Sequence, residues 1–144
     1  MADRALLDTN VLVYAAFPNA PQHAAALRLC NDALARRVDA CVSPQVLLEF
    51  FATVTNPKRV TSPRDHAAAW AEVEKYRAAL PVLSPPADLV VRVRSLAEPI
   101  GVTRQRVFDV QHAATMLANG IRHIYTFDDA IFKQIPGITV IAPL

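Results

Sequence analysis

Arg4-Ala5-Leu6-Leu7-Asp8-Thr9-Asn10-Val11 decides the fold: a short apolar run ends on a carboxylate, and a polar pair leads into a helical pattern over 11–16. An uninterrupted apolar run of this kind suits a strand covered on both faces, since a half-exposed strand would alternate. Further short runs follow. Ala40-Cys41-Val42 reads as a buried strand, Val82-Leu83 as another, 122–126 as a third and 139–142 as the last. Between them lie helical stretches. One is expected over 23–37, and one starts at Ser43-Pro44 and ends near Thr55. Ser62-Pro63 repeats that cap-plus-proline signal before a helix to Leu80, and 89–97 reads as the next. The last begins at Asp109 and is closed by Asn119-Gly120, with a helical turn over 129–134 after it. Parallel strands need crossovers, so this alternation predicts an α/β fold with a mainly parallel sheet covered on both faces. Sites in such folds lie beyond the carboxyl ends of the strands.

With 144 residues, 53% of them hydrophobic, the chain suits one domain over 1–144. Cys30 and Cys41 are too few and too irregularly spaced for a disulfide framework or a zinc site, and are expected as free thiols in a reducing compartment. The N-terminus lacks the pattern of a secretory signal, and no apolar run approaches the roughly 20 residues of a membrane span. The expectation is a soluble, cytoplasmic protein. A net charge of +2 does not by itself declare a nucleic-acid partner. Apart from Lys58, Lys75 and Lys133 the basic residues are all arginines, which suits bidentate phosphate contact and suits a GC-rich genome equally.

Four acidic residues stand where strands hand over to helices or just inside a helix: Asp8, Glu49, Asp109 and Asp128. Each has an ordinary reading. Asp8 can cap the helix that follows it, with Asn10 sharing that role; Asp109 can be the N-cap of its own helix; Glu49 can sit at the exposed margin of its apolar stripe. Asp128 and the adjacent Asp129 can both cap the turn at Ala130-Ile131-Phe132, with Asp129 better placed for it. Capping does not require the four to converge. If they do, two unit charges at about 4 Å and an effective dielectric near 20 repel by about 4 kcal/mol, so the cluster needs a cation or raised pKa values. All-oxygen ligation favours Mg2+ or Mn2+, and a metal-polarised water suits attack on a phosphodiester. His112, one turn from Asp109, reads first as a surface or core histidine and second as a site residue. Lys58, Arg59, Arg64, Arg104 and Arg106 flank the acidic segments in sequence, either as RNA-backbone contacts or as solvated loop residues.

Other phosphate chemistries fit less well. A haloacid-dehalogenase-like phosphatase wants a second Asp two residues after the first, where this chain has Asn10. A receiver domain wants an acidic pair at the first strand. Gly101, Gly120 and Gly137 are isolated and form no phosphate cradle, and there is no Gly-x-Ser-x-Gly elbow.

Leu7-Asp8-Thr9-Asn10-Val11, Ser43-Pro44-Gln45-Val46-Leu47-Leu48-Glu49-Phe50, Phe108-Asp109-Val110-Gln111-His112-Ala113-Ala114 and Thr126-Phe127-Asp128 resemble, in order and spacing, the PIN-domain ribonucleases. The VapC-type toxins of bacterial toxin–antitoxin pairs are the branch they resemble most. The resemblance implies a three-layer α/β/α domain, an endoribonuclease dependent on Mg2+ or Mn2+, a homodimer, and a small antitoxin that covers the acidic site. By position it makes Asp8, Glu49, Asp109 and Asp128 the acidic site residues, with Asp8 and Asp109 the foremost metal ligands. Thr9, Asn10 and Thr126 match accessory polar positions, and Asp129 contends with Asp128 for the fourth acidic place. Two alternatives remain: a catalytically silent module of the same fold that binds RNA or protein, and another metal-dependent phosphohydrolase.

Overall fold

The computed structural model describes residues 3–144, so Met1 and Ala2 of the expected domain lie outside it. β1 (Ala5–Leu7) is completely buried, as its unbroken apolar run requires. It lies inside a parallel four-stranded sheet of order β2-β1-β3-β4, with β2 Ala40–Cys41, β3 His123–Tyr125 and β4 Thr139–Ile141. Ala5 is level with Ala40 on one side and with His123 on the other, and His123 with Thr139. The expected strand at Val82-Leu83 is a single parallel bridge from Val42 to Val82, beyond the end of β2.

Helices flank the sheet and make the three-layer α/β/α arrangement: α1 (Thr9–Ala16) and α2 (His23–Leu34) between β1 and β2; α3 (Pro44–Val54), α4 (His66–Ala79), α5 (Leu89–Ala97) and α6 (Val107–Ala118) between β2 and β3. The core is filled by Leu6, Leu12, Val46, Phe50, Met116, Ile124 and Phe132, all at most 1% exposed. Cys30 and Cys41 are free and buried within it.

Three helix starts differ from expectation: α1 begins at Thr9, two residues ahead of Val11, and α4 and α6 differ at their caps. The N-cap of α4 is Asp65, whose carboxylate accepts from Ala68 N at 2.8 Å, and Ser62-Pro63 stays in the preceding loop. Asp caps as well as Ser does, and this one stands immediately before the helical run. α6 starts two residues ahead of Asp109, so Asp109 is its third residue and not its cap. An acid in that first turn still faces the positive end of the helix dipole. α6 ends as expected: Gly120 takes φ +73°, its N–H reaches Leu117 O, and Ile121 N–H reaches Met116 O. That pair of bonds closes the helix and turns the chain directly into β3.

The sheet order places the site. From β1 the chain crosses to β2 on one side, and it later returns on the other side to β3. The carboxyl ends of β1 and β3 are therefore neighbours at a topological switch point, where the diverging connections leave a crevice.

Candidate active site

Asp8 follows β1 directly and is the N-cap of α1, with Oδ1 accepting from Thr9 N at 2.7 Å. Its backbone N–H donates to Tyr125 O of β3 at 3.0 Å, which fixes the carboxylate above the β1–β3 seam. Across that seam Thr126 donates its hydroxyl to Asp8 Oδ2 at 2.8 Å and accepts from Asn10 Nδ2 at 3.2 Å and from Asp128 N at 3.0 Å. The hydroxyl's donor and both its acceptor sites are thereby used. Asn10 Oδ1 accepts from Phe127 N at 3.3 Å and completes the link between α1 and the loop after β3. The capping role and the site role of Asp8 coexist, because the cap occupies one oxygen and leaves the other on the seam. Asp8 is 6% exposed, and burial pushes its carboxyl above the usual range despite the nearby His112 and the donors from Thr126 and Thr9.

Glu49 is held from three helices. Thr9 Oγ1 of α1 donates to Oε1 at 3.0 Å, Gln45 Nε2 of α3 to Oε2 at 3.0 Å, and His112 Nε2 of α6 meets Oε1 at 2.9 Å. Partial burial works to raise this carboxyl, but the hydrogen bond and charge of His112, with the hydrogen bonds from Gln45 and Thr9, together outweigh it and hold the group below the usual range. Gln45 Nε2 also donates to Phe108 O at 2.9 Å, tying α3 to the start of α6.

His112 is a core histidine, one of its two first readings, and it also reaches the acidic residues. It is 2% exposed, with Nε2 also 3.9 Å from Asp8 Oδ1, and its Nδ1 is buried without a hydrogen-bond partner among the described residues. Burial would lower its pKa. The bond to Glu49 and the charges of Asp8, Glu49 and Asp109 reverse that and raise it. Gln45 carries no sign of its role except its spacing: four residues before Glu49, one helical turn away, it is a natural partner for that carboxylate.

Asp109 is brought to the same edge by the first turn of α6. Its carboxyl is pushed up to about 6, chiefly by burial and next by the charge of Asp8, against the opposing pull of His112 and Arg106. Arg106 Nη1 lies 3.6 Å from Asp109 Oδ2 and 3.2 Å from Asp128 Oδ2, an internal cation between two of the acids. Asp128 is exposed, and its Oδ1 accepts from Ala130 N at 3.3 Å. Asp128 therefore caps the turn that Asp129 was expected to cap. Asp129 is exposed, and its side chain makes no hydrogen bond or ion pair among the described residues. Also among the described residues, no three acidic, imidazole or thiol side chains are gathered closely enough to hold an ion as they stand.

A cavity of about 660 Å³ opens beside Asp8 and Glu49, with Thr9, Asn10 and Arg59 in its wall. Lys58 is exposed in the same loop as Arg59, and Arg104 is exposed just before α6 with φ +55°. Arg64 is occupied elsewhere. Its guanidinium donates to Ala16 O at 2.7 Å and Glu72 Oε1 at 2.9 Å, and lies 4.5 Å over the Phe17 ring.

Comparison with known proteins bears on this arrangement. The family described as the PIN domain matches residues 5–138. Ribonuclease VapC24 of Mycobacterium tuberculosis is 30% identical over 135 residues, which cover 90% of this chain and 92% of the relative. Among solved structures, VapBC2 from Rickettsia felis, bound to a DNA fragment from its promoter, superposes with a TM-score of 0.67 at 20% identity, covering 96% of this chain and 98% of that one. The sarcin-ricin-loop-cleaving toxin VapC20 of Mycobacterium tuberculosis superposes with a TM-score of 0.66 at 22% identity, covering 88% and 92%. These structural matches show the fold.

Proposed function

The chain belongs to the PIN-domain family, and from that premise we propose that it is a divalent-metal-dependent endoribonuclease, the toxin of a VapBC-type pair, acting in the cytoplasm. The observation that carries the reading is the meeting of Asp8, from the end of β1, and Asp109, from the first turn of α6, at one edge of the sheet, where burial first and the charge of Asp8 second push Asp109 up to about 6. Such a pair is poised for a cation. The site fits a hard one: carboxylate oxygens oriented by hydroxyl and amide N–H donors, both cysteines buried in the core, and an imidazole already bonded to Glu49. We assign Mg2+ or Mn2+ to Asp8 and Asp109, with Glu49 and Asp128 as the further acidic groups.

When bound, the ion supplies a polarised water and positive charge against the charge that builds on the phosphate. The protein's own contribution is orientation. Thr126, Asn10 and Thr9 N fix the Asp8 carboxylate. His112, Gln45 and Thr9 hold Glu49 ionised at the site wall, where it can accept a proton from an attacking water. Arg106 and Arg59 offer positive charge to the flanking backbone phosphates.

The likeness to VapBC2 supports a small antitoxin as partner, and a homodimer belongs to the same proposal. Exposed apolar side chains on α3 and α4 support the same reading: Leu48 on α3, and Trp70 on α4, whose ring stacks on Phe51 at 4.1 Å. The test is cleavage of an RNA panel by the purified protein with Mn2+, with chelator, and with Asp8→Asn and Asp109→Asn. Metal-dependent cutting that both variants lose is the expected result. Cutting that ignores chelator, or that survives both changes, refutes the assignment.

A further inference from the structure

Phe108 is out of keeping with the rest of the core. Among the described residues it is the one phenylalanine that stays exposed, at 49%, although it stands next to Asp109 in the first turn of α6. Its position is nonetheless fixed, because its carbonyl accepts from Gln45 Nε2 at 2.9 Å and the helix sets its backbone. A rigidly mounted, half-exposed ring does little for the core and presents a flat apolar face to the cavity that also contains Asp8 and Glu49. The same cavity is walled by Tyr14, by Gln111, whose amide makes no hydrogen bond among the described residues, and by the exposed Arg59. Its volume of about 660 Å³ is ample for a nucleotide.

Aromatic face, free amide and guanidinium beside a phosphodiester-cutting centre form the combination that takes an unpaired nucleotide: stacking for the base, amide hydrogen bonds for its edge, positive charge for the backbone. We propose that this cavity is a nucleobase subsite in which Phe108 stacks the base of a nucleotide adjoining the cleaved phosphate, while Gln111 contacts that base's edge. The inference rests on the ribonuclease reading and deepens it, since it names the residues that hold a base beside the cleaved phosphate. A base still paired in a duplex cannot present its face to the ring.

The experiment uses the full chain carrying Asp8→Asn, so that RNA is bound and not cut, and a fluorescein-labelled single-stranded RNA as probe. Phe108→Ala in that background should weaken binding about tenfold, and Phe108→Trp should restore it. The same RNA with one abasic nucleotide, moved along the strand, identifies the stacked base: one position should cost the parent affinity and cost Phe108→Ala nothing. Aminopurine placed there should be quenched by the parent and not by Phe108→Ala, a signature that a merely structural residue would not give. If Phe108→Ala binds intact RNA as the parent does, or keeps the full abasic penalty, the subsite is overturned and the ring is left for a protein contact. If Asp8→Asn does not bind the RNA and the wild-type chain does not cut it, the ribonuclease reading falls and takes the subsite with it. Metal-dependent cutting with no effect at Phe108 removes the subsite alone.

Discussion

Asp109→Asn should stabilise the metal-free protein while destroying its function. The Asp109 carboxyl is pushed from the ordinary 3.8 to about 6 by burial and by Asp8. A carboxylate whose folded pKa is raised is protonated more readily in the folded state than in the unfolded one. Its penalty on stability is absent below about pH 4, grows as the pH rises to about 6, and is full above that. At about 1.4 kcal/mol per pH unit, the gap of roughly two units is worth about 3 kcal/mol. Partial exposure and the lost pairing with Arg106, 3.6 Å away, reduce the expected gain to about 2 kcal/mol. Asn is isosteric with the protonated acid and carries no charge. For a chain of this length an unfolding entropy of about 0.3 kcal/mol per kelvin converts the gain to a Tm rise of roughly 6 °C. The assay is thermal melting by circular dichroism in chelator, at about pH 7.5 and again at about pH 4, where the difference should close. Adding Mn2+ should then raise the Tm of the parent and leave the variant unmoved, by mass action on the folded state alone. A variant less stable than the parent in chelator at neutral pH would refute the electrostatic account of this site.

Three further outcomes follow from the same geometry. His112→Ala removes a buried donor to Glu49 at 2.9 Å and leaves a hole, so urea unfolding should show a loss of about 2–4 kcal/mol, together with weaker cleavage. Arg106→Gln removes the cation between Asp109 and Asp128, so isothermal titration with Mn2+ should give a Kd about threefold lower while RNA affinity falls. Arg64→Ala should cost about 1–2 kcal/mol in chemical denaturation through its lost contacts with Ala16 O, Glu72 and the Phe17 ring, with RNA affinity unchanged. A fall in RNA affinity for Arg64→Ala would return that residue to the nucleic-acid surface.

The rhythm of short apolar runs and helices was legible in the amino-acid sequence because burial on both faces leaves a strand no polar alternation, as in Ala5-Leu6-Leu7, and because Ser43-Pro44 and Asn119-Gly120 carry their capping chemistry locally. α4 and α6 were misplaced at their starts because several residues compete to cap a helix, and only the packed loop decides among Ser62, Asp65 and the residues before Asp109. The sequence by itself determined the parallel α/β class and which acids stand at strand ends. It could not pair His112 with Glu49, Gln45 with Phe108 O or Arg106 with Asp128, nor show that Arg64 is drawn away to Ala16 and Glu72. Those assignments came only with the tertiary structure, which sets α1, α3 and α6 around the seam between β1 and β3. Local chemistry acts over a helical turn, whereas a hydrogen bond or a charge interaction depends on distance in space, and chain folding alone brings such distant residues within reach.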